Sequence, residues 1–234
     1  ILTFSNAKAY KLSDHQEDGT VTVNNDFGYT KIVGTYEPTL VASKDNSATG
    51  SMKAIILPNN TIAIGTTHYI TADNFTKKKN EITGNTTEIT TISNAKAYRL
   101  SDHIEDGMVT LKNAAGYTNI VGTYTPLVEA EKDNTANATI TAIILPENTI
   151  AIGTTHYITA GDFVKKESEV TGTDSEIINA SNAKAFRLLD HVEDGTVIVG
   201  DKDGYSNNVG TYTPALSVAN DVNTKGTIKA TVVP

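Results

Sequence analysis

Three acidic clusters recur along this chain, and each places carboxylates at positions i, i+3 and i+4, directly before a glycine. Calcium is held in proteins by about six to eight oxygen ligands, most of them carboxylates and carbonyls. Carboxylates at this spacing around a turn would supply part of such a set, so the pattern predicts a Ca²⁺ site. The predicted ligands in the two later clusters are Asp102, Glu105, Asp106, Asp190, Glu193 and Asp194, and Asp14, Glu17 and Asp18 hold the same positions in the first.

The same residues have a second interpretation that involves no metal. An aspartate followed by a glycine is a common turn signal, because glycine accepts a backbone conformation that other residues avoid. The spacing also differs from that of an EF-hand loop, and the neighbouring turn from Asn113 to Gly116 carries no acidic side chain. Both interpretations, a calcium site and a turn with solvated acids, therefore stay open.

Other residue types that often carry chemistry do not converge on a site. A zinc site needs about three or four nitrogen, sulfur or oxygen ligands, and the chain has no cysteine. The histidines are His15, His103 and His191 beside the acidic clusters, and His68 and His156 elsewhere; we predict that they are surface residues or hydrogen-bonded structural residues. Neither a Gly-x-Ser-x-Gly elbow nor a phosphate-binding glycine loop is present. The sequence therefore predicts that the chain is not an enzyme.

Three lysines recur between alanines in the middle of a predicted strand, at Lys8, Lys96 and Lys184. Alternation along the strand places Lys96 on the same face as Tyr98, so we predict an exposed lysine. An intramolecular amide bond to an Asn or Asp side chain is the alternative.

The acidic clusters recur because the chain is a tandem repeat. The segment SNAKA starts at Ser5, Ser93 and Ser181, an interval of 88 residues both times. A proline closes each copy, at Pro58, Pro146 and Pro234. Since domains of roughly 50 residues already fold alone, we predict complete modules at 59–146 and 147–234, joined by short linkers. Residues 1–58 are predicted to be a partial module that lacks its first strands.

Each copy has the pattern of a β protein. Threonine, valine, isoleucine and tyrosine are plentiful, and Ile140, Ala142 and Ile144 alternate on one face of the last strand of a copy. Glycine persists at one variable turn, at Gly28, Gly116 and Gly204, which predicts a hairpin position with positive φ. Thr173 and Asp174 predict the cap of a short helix that ends at Ala180. The fold class predicted is all-β, as tandem immunoglobulin-like β-sandwich modules with one short helix per module.

The net charge of −8 argues against nucleic acid and against an anionic membrane surface as partners. No apolar run approaches the ~20 residues of a membrane-spanning helix, so we predict no membrane insertion. The lack of cysteine favours an exported protein and excludes disulfide bonds and thiolate chemistry.

Several motifs carry a family resemblance. HYITA begins at His68 and His156, and it is followed by SNAKAY or SNAKAF, the EDG turn, VGTYTP and a terminal strand that closes on VVP. In this order they resemble the bacterial Ig-like repeats of Gram-positive cell-wall-anchored surface proteins, such as internalin-type adhesins and biofilm-associated proteins. The resemblance spans the whole chain. It implies an extracellular location on the bacterial cell surface, with anchoring through regions outside these residues.

The resemblance also implies the predicted function, a non-catalytic stalk or adhesive repeat region that projects from the cell or contributes to adhesion or biofilm formation. Its expected partners are a host or neighbouring-cell surface protein or a glycan, with the chain monomeric or weakly self-associating. Two alternatives stay open. One is a ligand-binding module for a glycan or host protein, and the other is a self-associating surface-layer segment. Apart from Ca²⁺, no cofactor is predicted.

Overall fold

The computed structural model describes all residues from 1 to 234, and strands dominate it. The all-β prediction is confirmed; the immunoglobulin-like sandwich stays a prediction. The chain divides into two compact units. Unit 1 holds Ile1–Asp73, Asn94–Lys112 and Val128–Thr139, and unit 2 holds Asn74–Ser93, Asn113–Leu127 and Ile140–Pro234. We call residues 1–58, 59–146 and 147–234 repeats 1, 2 and 3. Repeat 2 therefore contributes to both units, and its boundaries stay a prediction.

The elements follow the period of the sequence. Repeat 1 contains α1 (Leu2–Ser5), β1 (Val21–Asn25), β2 (Gly34–Tyr36), β3 (Thr39–Ala42), β4 (Asp45–Ser51) and β5 (Ala54–Ile56). Repeat 2 contains β6 (Thr61–Ile64), β7 (His68–Thr71), β8 (Phe75–Lys78), α2 (Glu88–Ile92), β9 (Lys96–Arg99), β10 (Val109–Asn113), β11 (Gly122–Tyr124), β12 (Leu127–Ala130), β13 (Asp133–Thr139) and β14 (Ala142–Leu145). Repeat 3 contains β15 (Thr149–Ile152), β16 (His156–Thr159), β17 (Phe163–Lys166), α3 (Asp174–Ala180), β18 (Lys184–Arg187), β19 (Val197–Asp201), β20 (Gly210–Tyr212), β21 (Ala215–Val218), β22 (Asp221–Thr227) and β23 (Ala230–Val233).

Repeat 3 lies wholly in unit 2 and forms three small sheets. In the first, β16 lies between β15 and β18 and is antiparallel to both. In the second, β23 lies between β20, to which it is antiparallel, and β17, to which it is parallel. In the third, β21 lies between β19 and β22. The parallel pair joins residues far apart in the chain, and the strand pattern alone did not indicate it.

One hydrophobic core serves the three sheets and α3. Its members include Ile158, Ile177, Leu216 and Val232, none of which is more than 1% exposed. Burial of apolar side chains stabilises a fold by roughly 25 cal/mol per Å², so this cluster is what holds the short strands of repeat 3 together.

The predicted face of the last strand of a copy is confirmed, because Ile140, Ala142 and Ile144 are all buried. The strand is shorter than the alternation suggested. β14 begins at Ala142, while Ile140 donates its amide hydrogen to the Pro126 carbonyl.

The short helix is confirmed as well. α3 begins after Thr173, whose hydroxyl accepts the amide hydrogen of Glu176, the expected N-cap bond. Its Ile177 is fully buried. None of the helices in the structure is long and apolar enough to cross a membrane.

The turn glycines that recur in each copy do adopt positive φ, at 73° to 74° for Gly28, Gly116 and Gly204. The residue before each of them is left-handed too, for example Ala115 at 50°. The predicted hairpin is nevertheless wrong, because the strand that follows the turn does not pair with the strand that precedes it. β1 pairs with β3 instead, and β2 pairs with β5. The turn therefore passes the chain from one sheet to another.

Candidate functional site

The acidic cluster of repeat 2 lies in the turn that follows β9. His103 has φ of 61° and Gly107 has φ of 81°, and these two left-handed residues fold the chain back on β9. The amide of Asp106 donates to the Ala97 carbonyl, and the amide of Arg99 donates to the Ile104 carbonyl. The carboxylates are thus displayed on a closed loop rather than on a regular element.

Each carboxylate of this turn is paired with a different cation. Asp102 lies 2.8 Å from Arg99, and Glu105 lies 2.9 Å from Lys96. Asp106 contacts Lys132 through Oδ1, and its Oδ2 lies 3.4 Å from Nε2 of His68. The hydrogen bond from Lys132 holds the pKa of Asp106 below its usual value, so the carboxylate is ionised as a partner of lysine.

Repeat 3 keeps two of these pairs and loses the third. Asp190 lies 2.6 Å from Arg187, and Glu193 lies 2.8 Å from Lys184. The position of Lys132 is taken by Asn220, so no lysine reaches Asp194. The Oδ2 of Asp194 is 3.8 Å from Nε2 of His156, and this buried nitrogen has no hydrogen-bond partner.

These arrangements do not fit a calcium ion as they stand. Asp102, Glu105 and Asp106 each engage a separate basic side chain, and no group of three or more His, Asp or Glu side chains converges in a way that could hold a metal. A cation at this turn would have to replace ion pairs before it gained ligands. In repeat 3, Asp190 and Glu193 are paired with Arg187 and Lys184, and Asp194 lies 3.7 Å from Arg187. Calcium binding at these residues stays a prediction.

The ion pairs give the calcium hypothesis a direct test. We expect the melting temperature of the full chain to differ by less than about 1 °C between millimolar Ca²⁺ and EDTA, because a ligand that does not bind the folded state does not stabilise it. Differential scanning calorimetry measures this. A rise that disappears when both Asp102 and Asp106 are replaced by asparagine would establish the calcium site.

The recurring lysines are paired rather than free. Lys8, Lys96 and Lys184 lie 2.7, 2.9 and 2.8 Å from Glu17, Glu105 and Glu193, respectively. Their side chains are 41–44% exposed, which agrees with the predicted exposed lysine. Exposed pairs of this kind contribute little to stability, typically about 0.2–1 kcal/mol.

A buried aspartate holds the first two strands of repeat 3 together through hydrogen bonds. The sequence patterns did not predict this role. Asp221 is 6% exposed. Its Oδ2 accepts the amide hydrogens of Thr155 at 2.7 Å and His156 at 3.1 Å, and the hydroxyl of Thr155 at 3.1 Å. The amide of Thr155 holds the pKa of Asp221 well below its usual value. In repeat 2, Asp133 makes the equivalent bonds to Thr67 and His68.

A buried glutamate organises the loop that precedes α3. Glu176 accepts the amide hydrogens of Thr171 at 2.7 Å and Gly172 at 2.8 Å, and its other oxygen accepts from the Tyr205 hydroxyl at 3.1 Å. Burial would raise the pKa of Glu176, but hydrogen bonds from Thr171 and Lys165 outweigh it and bring the pKa to about 2. Its place in the first turn of α3 does not by itself indicate that it is buried.

The histidines beside the acidic turns lie at joints between consecutive repeats. Nε2 of His103 is 3.0 Å from the hydroxyl of Thr35, which also donates to the Leu100 carbonyl at 3.3 Å. Thr35 belongs to β2 of repeat 1, whereas His103 belongs to repeat 2, and both lie in unit 1. Nδ1 of His103 is 3.3 Å from the Tyr69 hydroxyl. One imidazole therefore connects its own repeat to the preceding one.

The second joint, inside unit 2, repeats the first. Nε2 of His191 is 3.1 Å from the Thr123 hydroxyl, Nδ1 is 3.3 Å from the Tyr157 hydroxyl, and Thr123 donates to the Leu188 carbonyl at 3.3 Å. Since the Thr123 hydrogen is given to Leu188, Nε2–H of a neutral imidazole donates to Thr123 and Nδ1 accepts from Tyr157. The prediction of hydrogen-bonded structural histidines is met in these two joints.

Comparisons with known proteins add no family or relative: no protein-family model matches the chain, and no curated protein matches it either.

Proposed function

We propose that the chain is a non-catalytic repeat region of a bacterial cell-surface protein, a stalk or adhesive segment that projects a partner-binding region or takes part in adhesion. The observation that carries this proposal is the joint between repeats. Two successive joints use the same three groups: a threonine of the GTY strand, and a histidine and a leucine carbonyl of the next repeat. A spacer needs such a joint, because a joint that recurs unchanged gives every added repeat the same orientation relative to the previous repeat.

The linkers between repeats support the same conclusion. Thr61 donates its amide hydrogen to the Pro58 carbonyl at 3.1 Å and its hydroxyl hydrogen to the same oxygen at 2.7 Å. Thr149 makes both bonds to Pro146, at 3.2 and 2.8 Å. A linker that is hydrogen-bonded in this way does not behave as a flexible Gly/Ser-type linker. It therefore preserves the relative orientation of consecutive repeats that the joint fixes.

The chemistry of the ionisable groups also favours a structural role. The predicted calcium ligands lie in ion pairs such as Asp102 with Arg99 and Asp190 with Arg187, and the buried acids Asp221 and Glu176 bind backbone amides. Catalytic groups are commonly held with a perturbed pKa in an accessible cleft, whereas these perturbed groups are enclosed in the fold. The resemblance to surface repeats agrees with this assignment.

Display on a cell tests the proposal. The chain is placed between a cell-wall anchor and an epitope tag on a Gram-positive host, next to a variant that lacks residues 59–146. The proposal expects the tag to stand farther from the cell with the full chain, as measured by super-resolution localisation of an antibody. Equal heights would contradict a spacer. Loss of cell–cell adhesion with unchanged height would favour the adhesive alternative over the stalk.

The joint itself makes a narrower prediction. Replacing Thr123 with valine removes one hydroxyl that both donates and accepts, which should weaken the joint by about 1 kcal/mol. Amide hydrogens of residues 188–191 should then exchange about fivefold faster in the full chain. Thr211 occupies the same position in repeat 3 and is exposed like Thr123, but it makes no joint, so Thr211→Val is the matched control and should leave the exchange of residues 188–191 unchanged.

The second joint should also depend on pH. Burial lowers the pKa of the His191 imidazole from its usual value near 6.5. A base whose folded pKa is lowered binds protons better in the open state, so the joint is fully formed above about pH 6.5 and weakens as the pH falls towards the folded pKa. Protonation of Nδ1 removes the acceptor of the Tyr157 hydroxyl, and the charge of Asp190 opposes the effect of burial by raising the His191 pKa. NMR titration of the His191 ring against the same amides measures the coupling.

A further inference from the structure

Strand β19 lies at the edge of the third sheet of repeat 3. It pairs with β21 on one side and with no strand on the other. The amide of Ala219 donates to the Thr196 carbonyl, and the backbone groups of successive residues in an antiparallel ladder point alternately towards and away from the paired strand. The N–H and C=O groups of Ile198 therefore point towards β21. Those of Val197 and Val199 point away from it, and no other element bonds to them.

Ile198 is an exposed apolar residue on this edge strand. Val197 is buried in the same core cluster as Ile177 of α3, and side chains alternate between the two faces of a strand. Ile198 accordingly lies on the outer face, and it is 44% exposed. The equivalent residues of repeats 1 and 2 are Thr22 and Thr110. Among the three repeats, repeat 3 alone has an apolar side chain here.

Repeat 2 carries an ion pair on the same surface that repeat 3 lacks. Lys112 of the edge strand β10 lies 2.7 Å from Glu129 of β12. A lysine on an edge strand discourages pairing with another chain, because pairing would bury its charge. Gly200 and Ser217 hold these two positions in repeat 3. Packing does not require this glycine, since a Cβ on Gly200 would meet only the Ala215 carbonyl oxygen, at 3.9 Å.

Adjoining repeats of the same chain leave this edge uncovered. Within unit 1, Thr22 of β1 is exposed although repeat 2 follows it. In the same unit, the Lys112 side chain of β10 is 47% exposed although repeat 1 precedes it. Neither a preceding nor a following repeat therefore covers the equivalent of Ile198. Since an unpaired strand edge is a template for another strand, we expect that strand from a second molecule.

We propose that β19 pairs with β19 of a second copy of this chain, antiparallel about a two-fold axis. The outward N–H and C=O groups of Val197 would bond to those of Val199 in the second copy, and the reverse. The two Ile198 side chains would lie opposite each other at a position without hydrogen bonds, where cross-strand side chains approach most closely. Two three-stranded sheets would then form one continuous sheet.

A second copy suits this edge because the register is self-complementary. A two-fold contact places each residue of one surface against the same surface of the other copy, so the exposed Ile198 covers its own counterpart. The same pairing of β10 would place Thr110 against Thr110 and would bring Lys112 of both copies to the contact. Apolar cross-strand pairs stabilise a sheet, whereas like charges destabilise it. The contact is short, so association is weak and gains from several copies lying side by side.

Sedimentation of the full 234-residue chain should show a reversible monomer–dimer equilibrium at micromolar to millimolar concentrations. As the concentration rises, hydrogen exchange should slow at the amides of Val197 and Val199. It should not change at Ile198, whose amide already points to β21. Ile198→Thr, which introduces the residue of repeats 1 and 2, should weaken association at least about fivefold. Gly200→Lys combined with Ser217→Glu, which installs the ion pair of repeat 2, should abolish it.

A disulfide tests the register. The chain has no cysteine, so Ile198→Cys introduces a single thiol, and an added oxidant should link it to the same residue of a second copy. Thr110→Cys is the matched control in repeat 2 and should cross-link at least about tenfold more slowly, because thiols that are not held close together seldom meet in bonding geometry. Val222→Asn is a second control. Val222 is 70% exposed but lies on β22, so its replacement should leave association unchanged.

Unaltered amide signals of β21 and β22 verify that each variant is folded. The proposal is overturned if the chain stays monomeric at all concentrations, or if Thr110→Cys cross-links as fast as Ile198→Cys. It is also overturned if Val222→Asn weakens association as much as Ile198→Thr, or if protection appears at another edge instead of β19. These measurements use the purified chain, so their outcome does not depend on the proposed stalk function.

Discussion

Replacing Asp221 with alanine should lower the free energy of unfolding of repeat 3 by about 3 kcal/mol. The substitution leaves the amides of Thr155 and His156 without an acceptor in a buried site, and each unsatisfied group costs about 1–3 kcal/mol. Hydrogen exchange of the amides of β15 and β16 in the full chain measures the loss, because these strands should open first.

The chain supplies a matched control for this prediction. Asp45 has the same place in the repeat but binds only Ser47, so Asp45→Ala should leave the stability of repeat 1 almost unchanged. A loss of stability as large as that of Asp221→Ala would show that the aspartate stabilises its own turn and does not act by holding the first two strands of the repeat together.

The Asp221 effect should also appear as a pH dependence. The pKa of Asp221 is lowered in the folded state, so its contribution to stability is present above its usual pKa of 3.8 and is lost as the pH falls towards the folded value. Acid unfolding of repeat 3 should therefore include a step below about pH 4 that Asp221→Ala removes.

Replacing Glu176 with glutamine should cost repeat 3 a further 2–3 kcal/mol, by an order-of-magnitude argument from its hydrogen bonds. Glutamine can keep one oxygen as the acceptor for the amides of Thr171 and Gly172, but its NH₂ then replaces the oxygen that faces the Tyr205 hydroxyl and Lys165, and the charge that partners Lys165 is lost. Chemical denaturation of the full chain, followed by the NMR amide signals of repeat 3, measures the change.

Two variants separate this effect from general damage. Glu167→Gln removes an exposed carboxylate in the turn that precedes this loop and should stay within about 0.5 kcal/mol of the parent. Tyr205→Phe removes one hydrogen bond to Glu176 and should cost about 1 kcal/mol.

Since the pKa of Glu176 is about 2 against a usual value near 4.5, its contribution to the stability of repeat 3 is present above about pH 4.5 and is lost between there and pH 2. This account would be contradicted if Glu176→Gln lost stability between about pH 4.5 and pH 2 in the same way as the parent chain.

Features that depend on neighbouring residues could be predicted from the sequence. The cap at Thr173, the buried face of Ile140, Ala142 and Ile144, and the positive φ of the turn glycines all follow from side-chain type and spacing over a few positions. The acidic turn was located correctly as well. The ion pairs of that turn could not be predicted, because pairs such as Asp106 with Lys132 join residues 26 positions apart.

The sequence by itself therefore determined the 88-residue period, the all-β class and the faces of individual strands, because period-two alternation and turn chemistry are local. Only the tertiary structure decided which strands pair, that β17 runs parallel to β23, and that Asp221 and Glu176 are buried. From the sequence alone, an aspartate or glutamate is expected at the surface unless its hydrogen-bond partners are known. Those partners, Thr155 and Tyr205, are brought to it by the fold across 66 and 29 positions of chain.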